Sequence, residues 1–130
     1  MGSDCSQPAA RGEINGMRVL LAEDTLIVGL GMQSILETMG VAVAGPAATV
    51  AEAARLSELG SFDAAVVDMN LQGEMAYGLV DRLNERGIPV VIVTGYEVLP
   101  SLADKVVTVL QKPLRAEALL KTLRSLAPVH

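Results

Sequence analysis

The chain has no tryptophan, one phenylalanine and two tyrosines, so burial has to come from aliphatic side chains and six methionines rather than from packed rings. Its only cysteine, Cys5, has no partner for an intrachain disulfide and belongs to no metal-binding thiol cluster, which fits a reducing, cytoplasmic setting. No apolar run reaches the roughly 18 residues that span a bilayer, and Met1 to Gly16 is too polar for a signal-peptide core. No membrane partner is expected. The 10 basic residues are outnumbered by 15 acidic ones, giving a net charge of −5, and they form no cluster. Direct binding to nucleic acid therefore lacks its electrostatic footprint.

What the chain does have is 51% hydrophobic residues in 130, enough for one domain that buries about two-thirds of its unfolded surface. That length leaves no room for an output domain. Residues 1–16 read as a disordered N-terminal tail and 17–127 as the folded domain. From Met17 a short apolar run, a turn and a helical pattern recur five times, the mark of an α/β fold with helices on both faces of a parallel sheet.

The expected strands are Met17 to Ala22, Val41 to Ala44 ending at Gly45-Pro46, Ala64 to Asp68, Val90 to Thr94 after Pro89, and Val106 to Gln111. The first helix, about Leu26 to Met39, shows an apolar stripe of Ile27, Leu30, Ile35 and Met39, with Ser34 and Thr38. Thr49-Val50-Ala51-Glu52 has the form of a capping box, opening a helix to about Leu59 that turns Ala53, Leu56 and Leu59 inward. After the loop Met69 to Tyr77, a helix from about Gly78 carries Leu79, Val80 and Leu83. The fourth helix, around Ser101 to Asp104, is barely one turn and is expected to be short or mobile. The last, about Arg115 to Leu126, aligns Leu119, Leu120, Leu123 and Leu126.

Reactive residue types stand where the apolar runs end: Glu23-Asp24, Asp68 with Asn70 two residues on, Thr94, and Lys112-Pro113. In a parallel α/β sheet those ends share the edge where ligands bind. Magnesium takes only part of its oxygen shell from protein, which Asp24, Asp68 and a backbone carbonyl supply. Without metal, Glu23, Asp24 and Asp68 repel one another, and a divalent cation together with Lys112 relieves the conflict. Asp68, ending the central strand, is the natural nucleophile toward phosphorus. Once phosphorylated it gains about 1.5 to 2 negative charges, recruiting the Lys112 ammonium and the Thr94 hydroxyl and making Thr94 the candidate switch.

These residues, in this order, resemble the receiver domain of two-component response regulators over nearly all of Met17 to Leu126. The resemblance implies a flavodoxin-like (βα)5 fold with strand order 2-1-3-4-5. It also implies a phosphoacceptor at Asp68, metal ligation by Glu23, Asp24, Asp68 and the Asn70 carbonyl, catalytic support from Thr94 and Lys112, and a cis peptide before Pro113. The phosphoryl donor is then a histidine kinase or phosphotransfer protein, and the chain a phosphoacceptor rather than an enzyme. Receivers commonly carry an aromatic where this chain has Val109 or Leu114. Thr94-Gly95-Tyr96 instead resembles a subgroup in alphaproteobacterial stress and light signalling, and Tyr96 is expected to report phosphorylation in place of the missing ring.

The expected function is a single-domain regulator, monomeric or weakly dimeric, that signals by protein contact or serves as a phosphate sink or shuttle. A receiver cut from a hybrid histidine kinase and an unphosphorylated interaction module are the alternatives. An aspartyl phosphatase would need a second acid where Asp68-Met69-Asn70 has none, and a flavodoxin-type cofactor would be repelled by Glu23-Asp24-Thr25-Leu26.

Overall fold

The computed structural model describes residues 13–95 and 100–127. In chain order the elements are β1 (Arg18–Ala22), α1 (Leu26–Thr38), β2 (Ala42–Ala47), α2 (Val50–Ser57), β3 (Ala64–Asp68), β4 (Asn70–Leu71), β5 (Glu74–Met75), α3 (Tyr77–Glu85), β6 (Val90–Thr94), α4 (Pro100–Ala103), β7 (Thr108–Gln111) and α5 (Ala116–Leu126). Five strands form one parallel sheet in the order β2-β1-β3-β6-β7, which is the flavodoxin-like arrangement expected, and β4-β5 is a separate antiparallel hairpin.

Strand side chains alternate between the two faces, so each strand feeds two cores. Leu20, Ala65, Val67, Val90 and Ile92 meet Ala53 of α2, Leu79, Val80 and Leu83 of α3, and Leu102 of α4. Val19, Leu21, Val66, Val91 and Val93 meet Met32 and Leu36 of α1 and Leu119 and Leu123 of α5. Every residue of β3 and β6 is buried, as strands covered on both faces require. The capping box forms with a shift. The Glu52 N–H donates to Thr49 Oγ1 at 3.1 Å, while Glu52 Oε1 accepts from the N–H of Ala48, one residue before the cap.

Several expectations are corrected. The stripe assigned to α1 faces outward: Ile27 is 83% exposed, and Leu30, Ile35 and Met39 are exposed too, whereas Gly29, Met32 and Leu36 are buried. The helix is apolar almost all round in its first two turns, so periodicity did not single out one face. Of the three α2 residues expected to face inward, Ala53 is buried and Leu56 partly buried against the core, while Leu59 lies exposed beyond the helix end. Residues 14–16, expected in the tail, belong to the fold, since Ile14 is buried in the core that includes α1 and α5 side chains and the Gly16 N–H donates to the Gly40 carbonyl at 2.8 Å. The strand expected to stop at Ala44 runs on to Ala47 through Gly45-Pro46. Leu20 pairs with Ala44 but Ala22 with Ala47, so β2 carries one extra residue, a bulge opposite Leu21. Gly45 has φ +114°, and a Cβ there would lie 2.3 Å from the Leu21 carbonyl oxygen. The fourth helix is the short one anticipated, spanning Pro100–Ala103.

Candidate functional site

Glu23 and Asp24 follow β1, Asp68 ends β3, Thr94 ends β6, and Lys112 follows β7, so the sheet order alone carries these residues to one edge. β1 and β3 are neighbours at the sheet centre, where Ala22 pairs with Val67 and sets the acidic pair beside Asp68. One carboxylate oxygen from each of Glu23, Asp24 and Asp68 lies within 4.8 Å of the other two. Glu23, Asp68 and Thr94 are buried, while Asp24 is half-buried.

Lys112 closes the cluster. Its Nζ lies 2.8 Å from Asp68 Oδ2 and 3.8 Å from Glu23 Oε1, and its backbone N–H donates to the Thr94 carbonyl at 2.8 Å. The peptide bond between Lys112 and Pro113 is cis, as the resemblance implied, and so is Gly45-Pro46, which it did not. The other Asp68 oxygen, Oδ1, accepts from the Asn70 N–H at 3.2 Å. Glu23 Oε2 accepts from the Thr25 N–H at 3.0 Å.

Burial raises the Glu23 carboxyl above the ordinary glutamate range. The Thr25 N–H and the Lys112 charge pull it down, the Asp68 charge pushes it up, and the net shift is upward. For Lys112, burial alone would lower the ammonium. The hydrogen bond and charge of Asp68, with Glu23 and Asp24, outweigh burial and hold it above the usual lysine value. The metal-free cluster is therefore short of positive charge, with one ammonium facing three carboxyl groups.

One contact is invisible in the sequence. The Gln72 N–H donates to Asp24 Oδ2 at 2.8 Å, across 48 residues of chain. It comes from the turn of the β4-β5 hairpin, in a stretch the sequence suggested was loop. Gln72 has φ 53°, and Asn70 Oδ1 accepts from the Gly73 N–H at 2.8 Å. Two-residue arms are too short to show strand alternation, and Gln72-Gly73 between them was the only signal. Asn70 therefore braces Asp68 with its amide and the turn with its side chain. Tyr96 lies outside the described residues.

A family model for the response regulator receiver domain matches residues 19–124. A search of curated proteins gives no match. Among solved structures, a CheY-like response regulator receiver domain protein from Methanospirillum hungatei JF-1 is 27% identical with a TM-score of 0.75, over 83% of this chain and 90% of that one. A CheY-like receiver domain from Methylobacillus flagellatus is 22% identical with a TM-score of 0.77, over 85% and 98%. The response regulator PhyR from Brucella abortus is 24% identical with a TM-score of 0.74, over 91% of this chain but 50% of its own length. The last two likenesses are of fold alone. Five parallel strands in this order, acids and a lysine at their ends, and a family match running from within β1 to within α5 lead to one assignment: the chain belongs to the response regulator receiver domain family.

Proposed function

We propose that Asp68 accepts a phosphoryl group from the phosphohistidine of a histidine kinase or phosphotransfer protein, in a magnesium-dependent reaction. The observation that carries this reading is the setting of the Asp68 carboxylate: a lysine ammonium 2.8 Å from one oxygen, a backbone N–H on the other, and two further carboxylates within reach of the same cation. The donor set is all hard oxygen, which suits Mg²⁺. Glu23, Asp24, Asp68 and the Asn70 carbonyl would hold the ion. When bound, the ion supplies positive charge to the phosphoryl oxygens.

A carboxylate oxygen of Asp68 attacks phosphorus, the bond from phosphorus to the donor imidazole nitrogen breaks, and the imidazole leaves with that electron pair and takes up a proton. Lys112 turns its ammonium from the Asp68 carboxylate to a phosphoryl oxygen. Thr94, buried at the end of β6, offers its hydroxyl to another, and this contact, present only in the phosphorylated state, biases the β6-α4 region. Tyr96, two residues on, is the proposed reporter of that change, on sequence grounds alone. The chain contains no second acid at Asn70 to release phosphate quickly, so it acts as a phosphoacceptor and signals by protein contact, or as a sink or shuttle, rather than as an enzyme.

The exposed side of α1 supports a protein donor. An apolar groove lined by Ile27, Val28, Ile35 and Leu114 adjoins Glu23, Lys112 and Pro113, giving a partner surface ground beside Asp68. The test is intact-mass measurement after incubation with acetyl phosphate. Wild type gains one phosphoryl group with Mg²⁺ and none in EDTA, and Asp68→Ala gains none. Absence of the gain in wild type, together with no transfer from any phosphorylated kinase, would leave an unphosphorylated interaction module.

A further inference from the structure

Gly29 stands inside α1, where glycine is the poorest helix former after proline, so the position needs a reason. A Cβ at Gly29 would lie 2.9 Å from Pro46 Cβ, 3.0 Å from Pro46 Cγ and 3.6 Å from Glu23 Cβ. The first is closer than real Cβ contacts come and the second is at the tight end of them, and the obstacle is a ring fused to the backbone rather than a flexible tip. Gly31, two residues on in the same helix, would meet nothing within 4 Å among the described residues. The requirement is therefore local to the contact with Pro46 and Glu23.

Gly45 and Pro46 are the two β2 residues opposite Leu21 at the bulge, and the next residue holds Glu23: the Glu23 N–H donates to the Ala47 carbonyl at 2.8 Å. The Glu23 backbone is thus held by the residue after Pro46, and Gly29 is close to both Pro46 and the Glu23 Cβ. Moving the Pro46 ring moves the Ala47 carbonyl, and with it Glu23 and the neighbouring Asp24.

We propose that Gly29 and Pro46 form a wedge that positions Glu23-Asp24 for the metal, so that both are positioning residues for the cation site and not only packing. The inference rests on the magnesium reading above. It does not involve the phosphoryl donor.

The test titrates Mg²⁺ alone into the full chain by calorimetry, for wild type, Gly29→Ala, Gly31→Ala and Pro46→Ala, alongside thermal melting in EDTA. Gly29→Ala is expected to weaken Mg²⁺ binding by about 10- to 100-fold, the range seen when groups that orient metal ligands are lost. Gly31→Ala, with the same gain in helix propensity, binds as wild type. With acetyl phosphate, Gly29→Ala raises the Mg²⁺ concentration for half-maximal phosphorylation while leaving the rate at saturating Mg²⁺ within a few-fold. A Gly29→Ala protein that melts lower but binds Mg²⁺ as tightly as Gly31→Ala would overturn the proposal, leaving packing alone. Should Gly29→Ala not fold, Pro46→Ala decides: it keeps Gly29 and removes the ring, and wild-type affinity there overturns the wedge. If wild type itself binds no Mg²⁺, the magnesium reading falls first and the wedge with it.

Discussion

Glu23 is 3% exposed, and its carboxyl is raised first by burial and further by the charge of Asp68. A raised acid binds its proton more tightly in the folded chain than in the unfolded one. Metal-free stability therefore falls as pH climbs from the ordinary glutamate range through the raised value, and the deficit persists at neutral pH. Glu23→Gln removes the titration. In EDTA its melting temperature should gain on wild type across that window, while added Mg²⁺ should stabilise it less than wild type. A difference that does not change with pH would sink the assignment of strain to this carboxyl. Lys112 acts in another window: its raised ammonium stabilises the fold at neutral pH, and that contribution is lost only as pH rises past the ordinary lysine range. At this scale the sequence was informative wherever a side chain acts from a strand end. Asp68, Asp24, Glu23, Thr94 and Lys112 all stand at the edge their positions implied. It was silent where a backbone group acts, as with the Gln72 amide on Asp24, because an N–H carries no residue type.

The elements show why helix orientation was harder to read than helix existence. α5 has one apolar stripe with polar residues between, and Leu119 and Leu123 are buried as that stripe requires. α1 has apolar residues on several sides, and the face that docks carries Met32 and Leu36 with Gly29 close to Pro46. Leu36 is fully buried and Ile27 is 83% exposed. Leu36→Ala should cost about 2 to 5 kcal/mol in urea unfolding. Ile27→Ala should stay within about 0.5 kcal/mol, as surface changes do. Equal costs would mean that the helix is turned otherwise than described. The β2 bulge was hidden for a related reason. Gly45-Pro46 ordinarily punctuates a strand, and here the bulge lets the strand continue past it and place the Ala47 carbonyl against Glu23.

Across the whole molecule, a sheet in the order β2-β1-β3-β6-β7 gathers residues between 23 and 112 in the chain onto one edge, and the two cores fix that edge from both faces. The recurring strand and helix pattern made this architecture legible, because each strand is short, apolar and bounded by turn residues. A ligand that binds only the folded chain stabilises all of it: Mg²⁺ at 100 times its dissociation constant should add about 2.7 kcal/mol to unfolding. Asp24→Asn should abolish most of that gain, and a gain unchanged in Asp24→Asn would place the ion elsewhere. The account as a whole turns on which residue bears the phosphoryl group. Phosphorylation with Mg²⁺, reduction of the acyl phosphate by borohydride and peptide sequencing by mass spectrometry read this directly. The result expected is homoserine at position 68 and nowhere else, dependent on Mg²⁺; conversion at position 24 instead, or no conversion although phosphoryl group is bound, would contradict it.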